Sequence, residues 1–118
     1  EAGAHQGTLA LLASKLGCVC YAFEASQTHL DIFHKSMHIN TLPRRIRVIA
    51  GTVGSNGEGR IDTHVRRAVT LLKMDIDGGD LAAMEGAEKL FAQRAVQFID
   101  LEYNPRKQHE MAGSKYLN

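Results

Sequence analysis

Apolar residues along the chain recur at two spacings, and the switches between them mark out its elements. Residues 1–8 read as the end of a strand and a glycine turn leading into a helix. That helix carries Leu9, Leu12 and Leu16 on one side, Lys15 in its last turn and Gly17 just past its end. Residues 18–23 form a strand that closes with Glu24. Ser26 is placed to cap a second helix, whose inner side is Leu30, Phe33 and Met37. Residues 40–43 end it, residues 46–50 give a third strand, and Ser55-Asn56-Gly57 is a turn. Residues 58–68 are polar and basic and show no assignable period.

The second half is organised around Leu71-Leu72-Lys73-Met74-Asp75-Ile76-Asp77. Its length and apolar content suit a strand with both faces covered. Lys73, Asp75 and Asp77 nevertheless interrupt it at every second position, so all three side chains share one face. Charge inside a covered strand is costly unless it is paired or used. Gly78-Gly79 breaks the strand, and a helix follows with Leu81, Met84, Ala87 and Phe91 along one side. A last strand spans 96–102 and is stopped by Asn104-Pro105, after which residues 106–118 form a tail with little pattern.

Strands alternating with helices predict an α/β fold with a mostly parallel sheet. Open sheets of this kind bind ligands beyond the carboxyl ends of their strands, which makes the acidic strand end the first candidate for the working end. If Glu1 closes a strand, most of that strand lies upstream, and the chain reads as a fragment.

Composition narrows the picture. A length of 118 residues fits one small domain, and 44% hydrophobic residues suffice for a core. The net charge of +1 lacks the basic excess of a dedicated nucleic-acid binder. No apolar run reaches the length of a membrane span. Cys18 and Cys20 match neither a Cys-x-x-Cys redox pair nor a disulfide framework. They are expected as buried free thiols, which points to a cytoplasmic protein; the absence of a first Met leaves room for a removed targeting peptide.

The opening glycines invite a dinucleotide reading. A Gly-x-Gly-x-x-Gly fingerprint aligned on Gly3 meets His5 and Thr8 where glycines belong, and fails. What remains is an acidic residue, Glu1, followed by Gly3 and Gly7, with glycine allowing the backbone close to a ligand. The following helix start suits a carboxylate as well as a phosphate. Glu24 closes the next strand about twenty residues on, where an acid grips ribose hydroxyls in such folds. A ligand with a ribose and a carboxylate but no pyrophosphate is S-adenosylmethionine.

Four segments then fall in a familiar order: residues 1–7, residues 21–25, Lys73-Met74-Asp75-Ile76-Asp77-Gly78-Gly79-Asp80-Leu81 with Glu85-Gly86-Ala87, and Asp100-Leu101-Glu102-Tyr103-Asn104-Pro105. Together they resemble the FkbM family of methyltransferases over residues 1–105, most specifically around residues 73–87. The resemblance implies a three-layer, Rossmann-like class I methyltransferase fold, truncated at its first strand and its C-terminal strands. It implies S-adenosylmethionine as cofactor and methyl transfer to a hydroxyl oxygen of a small molecule or glycan. By the same resemblance Gly3 and Gly7 line the methionine end of the cofactor with Glu1 near it, and Glu24 holds the ribose. The chain departs from the family in having Glu1 for the usual Asp, a shorter stretch between Val53 and Thr70, and no closing helix and strands after Asn118.

For the chemistry, methyl transfer needs the acceptor oxygen in line with the methyl group and a base for its proton. Asp75 is the first candidate to orient the acceptor or take that proton, Lys73 supplies the opposite charge beside it, and Glu102 is the second candidate base. The structural alternative is that Lys73 and Asp75 form an internal ion pair. Asp77 and Asp80 are expected to cap the following helix. His34 and His38 have metal-like spacing but no third ligand, and Arg44, Arg45, Arg47, Arg66 and Arg67 read as solvated surface. His5, inside the glycine turn, is a candidate contact to cofactor or substrate. Two rivals stand beside the methyltransferase reading: a non-catalytic remnant that binds cofactor or a partner, and an NAD-dependent reductase half.

Overall fold

A computed structural model describes residues 1–42 and 44–102. The chain divides into two compact units, Glu1–Thr52 and Val53–Asn118, each taken by itself below.

The first unit runs α1 (Thr8–Lys15), β1 (Cys20–Glu24), α2 (Gln27–Ile39) and β2 (Ile46–Ala50). β1 and β2 pair in parallel, Cys20 opposite Ile46 and Glu24 opposite Ala50. Glu1 and Ala2 continue this pairing as a parallel bridge, Ala2 opposite Phe23. Strand residues point their backbone groups alternately to the two edges. The Phe23 amide donates to Glu1 O at 2.9 Å, whereas the Cys20 amide donates to Arg45 O at 2.8 Å. β1 is therefore the inner strand of this unit, with the first residues on one edge and β2 on the other.

Both helices end and begin as their sequences dictate. Past α1, Gly17 (φ 96°) donates to Ser14 O at 3.1 Å and Cys18 to Ala13 O at 3.0 Å. This is a Schellman closure that needs a left-handed residue at Gly17. Ser26 caps α2, its hydroxyl accepting from the His29 amide at 3.4 Å. Leu30, Phe33 and Met37 are buried along α2, as its period predicts, and Phe33 and Met37 join Ala4, Ala10, Ala22 and Ile46 in one core.

The inner face of α1 differs from expectation. Its buried residues are Ala10 and Ser14, with Leu11 partly buried, while Leu12 and Leu16 are exposed. Small side chains let the helix lie close against β1, and the Ser14 hydroxyl is satisfied by Leu11 O at 3.0 Å. The cysteines differ too. Cys18 is exposed in the turn, and only Cys20 is partly buried, its thiol pushed up in pKa chiefly by that burial.

The second unit holds a 3-10 turn (Gly57–Gly59), α3 (Ile61–His64), β3 (Val69–Met74), α4 (Asp80–Gly86), α5 (Glu88–Ala92) and β4 (Val96–Leu101). β3 and β4 are again parallel, with Leu71 opposite Phe98 and Lys73 opposite Asp100. Leu72 and Met74 are buried, but Leu71 is exposed and Lys73 half-buried. One face of β3 is thus covered rather than both, which spares its charged residues a full desolvation. The helix expected after Gly79 is split at Ala87 into α4 and α5; it buries Ala87 as expected, but with Ala83, Gly86 and Leu90 beside it, while Leu81 is exposed. The reason is a close approach: a Cβ on Gly86 would overlap the Gly54 carbonyl oxygen. Asn104-Pro105 and the tail at 106–118 lie outside the described residues.

Candidate functional site

Two groups of residues named from the sequence are built by separate parts of the chain. In the first unit, the turn between the opening bridge and α1 takes positive φ at Gly3 (79°), His5 (50°) and Gly7 (80°). It wraps the end of β1, with the Gly3 and Ala4 amides donating to Phe23 O at 3.0 and 2.9 Å. Gly7 is the left-handed N-cap of α1, and the space a side chain would fill there is taken by the Phe33 ring. Close packing alone thus requires glycine at this position.

Glu24 ends β1 with only 7% of its surface exposed. Its Oε2 accepts the His5 amide at 2.7 Å and its Oε1 the Ser26 amide at 2.7 Å. One carboxylate therefore ties the turn before α1 to the turn before α2. His29 Nδ1 lies 3.5 Å from Oε1, an ion-pair distance, and the His5 and His29 rings are 5.1 Å apart. Burial alone would raise the Glu24 pKa. The Ser26 and His5 amides and the His29 side chain outweigh it and hold the carboxyl below its ordinary value. The sign for stability follows from linkage. A depressed pKa contributes stability above the unfolded value of about 4.3 and loses it as pH falls through the folded value. Urea midpoints followed below about pH 4.3 should therefore fall, and Glu24→Gln should flatten that acid limb.

In the second unit, Lys73 Nζ lies 3.1 Å from Asp75 Oδ2, both side chains being partly exposed. Lys73 is in register with Asp100, and the Glu102 amide donates to Met74 O at 3.1 Å, carrying the register one step further. Paired residues in a parallel ladder share a face. Lys73, Asp75, Asp100 and Glu102 thus line one side at the carboxyl end of this strand pair; Asp100 was not anticipated. Beyond them Asp77 (φ 49°) and Gly78 (φ 99°) form a type I′ turn closed by the Gly79 amide on Ile76 O at 3.0 Å. The cap of α4 is Gly79 rather than an aspartate. Buried Asp80 instead accepts the Ile76 amide at 3.2 Å and fastens the same turn.

A second charged knot lies in the stretch with no readable period. Arg60 makes a two-point pair with Asp62, Nε to Oδ1 at 3.0 Å and Nη2 to Oδ2 at 2.6 Å, and its Nη1 donates to Ser55 O at 2.8 Å. Asp62 also accepts the Lys89 amide at 3.2 Å, so it joins α3 to α5. The Arg60 guanidinium holds the Asp62 carboxyl below its usual range. Asp62→Ala would leave the guanidinium and the Lys89 amide without this acceptor, and a lower urea midpoint by circular dichroism is expected.

The remaining candidates stay apart from these groups. His34, His38, Arg44, Arg45, Arg47, Arg66 and Arg67 are exposed. Among the described residues no three His, Cys, Asp or Glu side chains gather as a metal set, and no helix is long and apolar enough to cross a membrane.

Compared with known families, residues 57–114 match the model of the methyltransferase FkbM domain. The match is consistent with a fragment of an FkbM-family methyltransferase. No curated protein and no solved structure matches the chain. The matched segment contains the Arg60–Asp62 knot, β3 with Lys73, Asp75 and the turn at Asp77-Gly78, α4, α5 and β4. The acidic strand end thus falls inside the matched segment.

Proposed function

We propose that this protein is an S-adenosylmethionine-dependent methyltransferase acting on a hydroxyl oxygen of a small molecule or glycan, with residues 1–105 forming part of a three-layer class I domain. The observation that carries the reading is the FkbM domain match across the charged strand and its helices.

The residues of the first unit fit the cofactor. A carboxylate offers about four acceptor positions, and the His5 and Ser26 amides use one on each oxygen. Glu24 Oε2 keeps capacity for a ribose hydroxyl, whereas the second position on Oε1 faces His29 Nδ1 at 3.5 Å, and the low pKa keeps the group an acceptor. Glu1, Gly3 and Gly7 would form the turn against the methionine end, with the α1 start supplying amides for its carboxylate. Bound cofactor supplies an electrophilic methyl group. Asp75 would hold the acceptor hydroxyl and receive its proton, Lys73 would fix the Asp75 carboxylate in place, and Glu102 would be the alternative base.

Isothermal titration of the chain with S-adenosylmethionine tests the cofactor half of this reading. Saturable binding is expected, and absence of binding by folded protein overturns it. Cofactor binding without transfer to any hydroxyl acceptor would leave a binding module only.

A further inference from the structure

The leucine stripe of α1 faces away from the core. Leu12 is 56% and Leu16 78% exposed, and Val19, just past the helix, is 55% exposed. Three large aliphatic side chains on so short a segment form a patch of the kind that marks an interaction site. The charge around them is of one sign. Residues 8–20 and 40–50 contain Lys15, Arg44, Arg45 and Arg47 and no Asp or Glu. The backbone brings Arg45 to the end of the leucine helix: Arg45 Nη1 donates to Gly17 O at 2.9 Å, and the Cys20 amide donates to Arg45 O at 2.8 Å. Val19 therefore lies beside Arg45, one step before the Cys20–Ile46 pair. Lys15 shares the outward side of α1, since the buried positions are Ala10 and Ser14.

We infer that this end of the first unit docks on an anionic lipid surface. Aliphatic side chains gain only where an apolar phase is within reach, and cations gain where headgroups are negative. The bilayer interface offers both at once, and long basic side chains reach the headgroups while their stems cover apolar surface. A nucleic acid would use the arginines and leave the leucines in water. The patch sits at the amino end of β1, whereas Glu24 and the glycine turn sit at its carboxyl end. Docking there leaves the Glu24 turn facing away from the membrane.

Co-sedimentation of the full chain with vesicles tests this, using phosphatidylcholine alone and phosphatidylcholine mixed with phosphatidylserine in equal parts. Binding to the anionic vesicles, weakened by salt, is expected, with little to the neutral ones. Arg44→Ala should lower the affinity about fivefold. Leu16→Ser should lower it about tenfold. Leu12→Ser serves as a second apolar variant, and circular dichroism checks that each is folded. No binding to anionic vesicles, equal binding to neutral ones, or binding indifferent to both leucine variants overturns the inference. It is likewise overturned if the patch instead holds two copies together, seen as a dimer in sedimentation velocity that Leu16→Ser disperses. An oligonucleotide bound through Arg44 but not Leu16, with no vesicle binding, would also replace it.

Discussion

Gly7→Ala is expected to destabilise the protein by about 2–5 kcal/mol. Two costs add. The position has φ 80°, where a Cβ crowds the following carbonyl and costs about 1–2 kcal/mol. The new methyl group would also overlap the Phe33 ring, which is fully buried, and overpacking a filled core costs about 1–3 kcal/mol. The ring has no easy retreat, because Leu30, Phe33 and Met37 form the inner side of α2. Urea unfolding followed by circular dichroism reads the change. The pairing with Phe33→Leu separates the two costs: the double variant should lose less than the sum of the singles, since the smaller side chain vacates part of the overlap. Strict additivity would mean that the backbone conformation alone forbids a side chain at residue 7.

Asp75→Asn is expected to lower kcat by about a hundredfold to ten-thousandfold, the range removed with a general base. Cofactor affinity measured by titration should not change. An amide keeps the shape and part of the hydrogen bonding of the carboxylate but cannot accept the acceptor's proton. Lys73→Met should do less harm, because in the proposed mechanism Lys73 would act through Asp75, at 3.1 Å, and not on the acceptor itself. Unaltered turnover in the Asp75 variant would reduce the pair to an ion pair that holds the strand end. Loss of turnover on replacing Glu102, with Asp75 dispensable, would move the base to the neighbouring strand.

Large apolar residues at helical spacing announced the inner side of α2, and the alternation of Lys73, Asp75 and Asp77 announced a face of charge on β3. Both signals come from side-chain type at a fixed period, which a sequence displays directly; the period holds for Lys73 and Asp75 but ends before Asp77, which sits in the turn past the strand. The inner sides of α1 and α4 were hidden because small residues, Ala10, Ser14, Ala83 and Gly86, make the closest contacts and leave the larger ones outside. Size, not apolar character, decides which side of a helix can approach a neighbour within a few ångströms. The partners of Glu24 were hidden for another reason: they are backbone amides of His5 and Ser26, and any residue type supplies an amide. Arg60 and Asp62 stand two apart across the start of a four-residue helix, where neither strand nor helix period applies, so their pairing left no periodic trace.

β1 carries a further consequence. It receives hydrogen bonds on both edges, from the first residues and from β2. Its amides should be the last of the first unit to take up deuterium in native-state exchange, after those of β2 and the helix ends. Once that strand opens, nothing remains to template its two neighbours, so Glu1–Thr52 is expected to come apart in one cooperative step and not by peeling from a side.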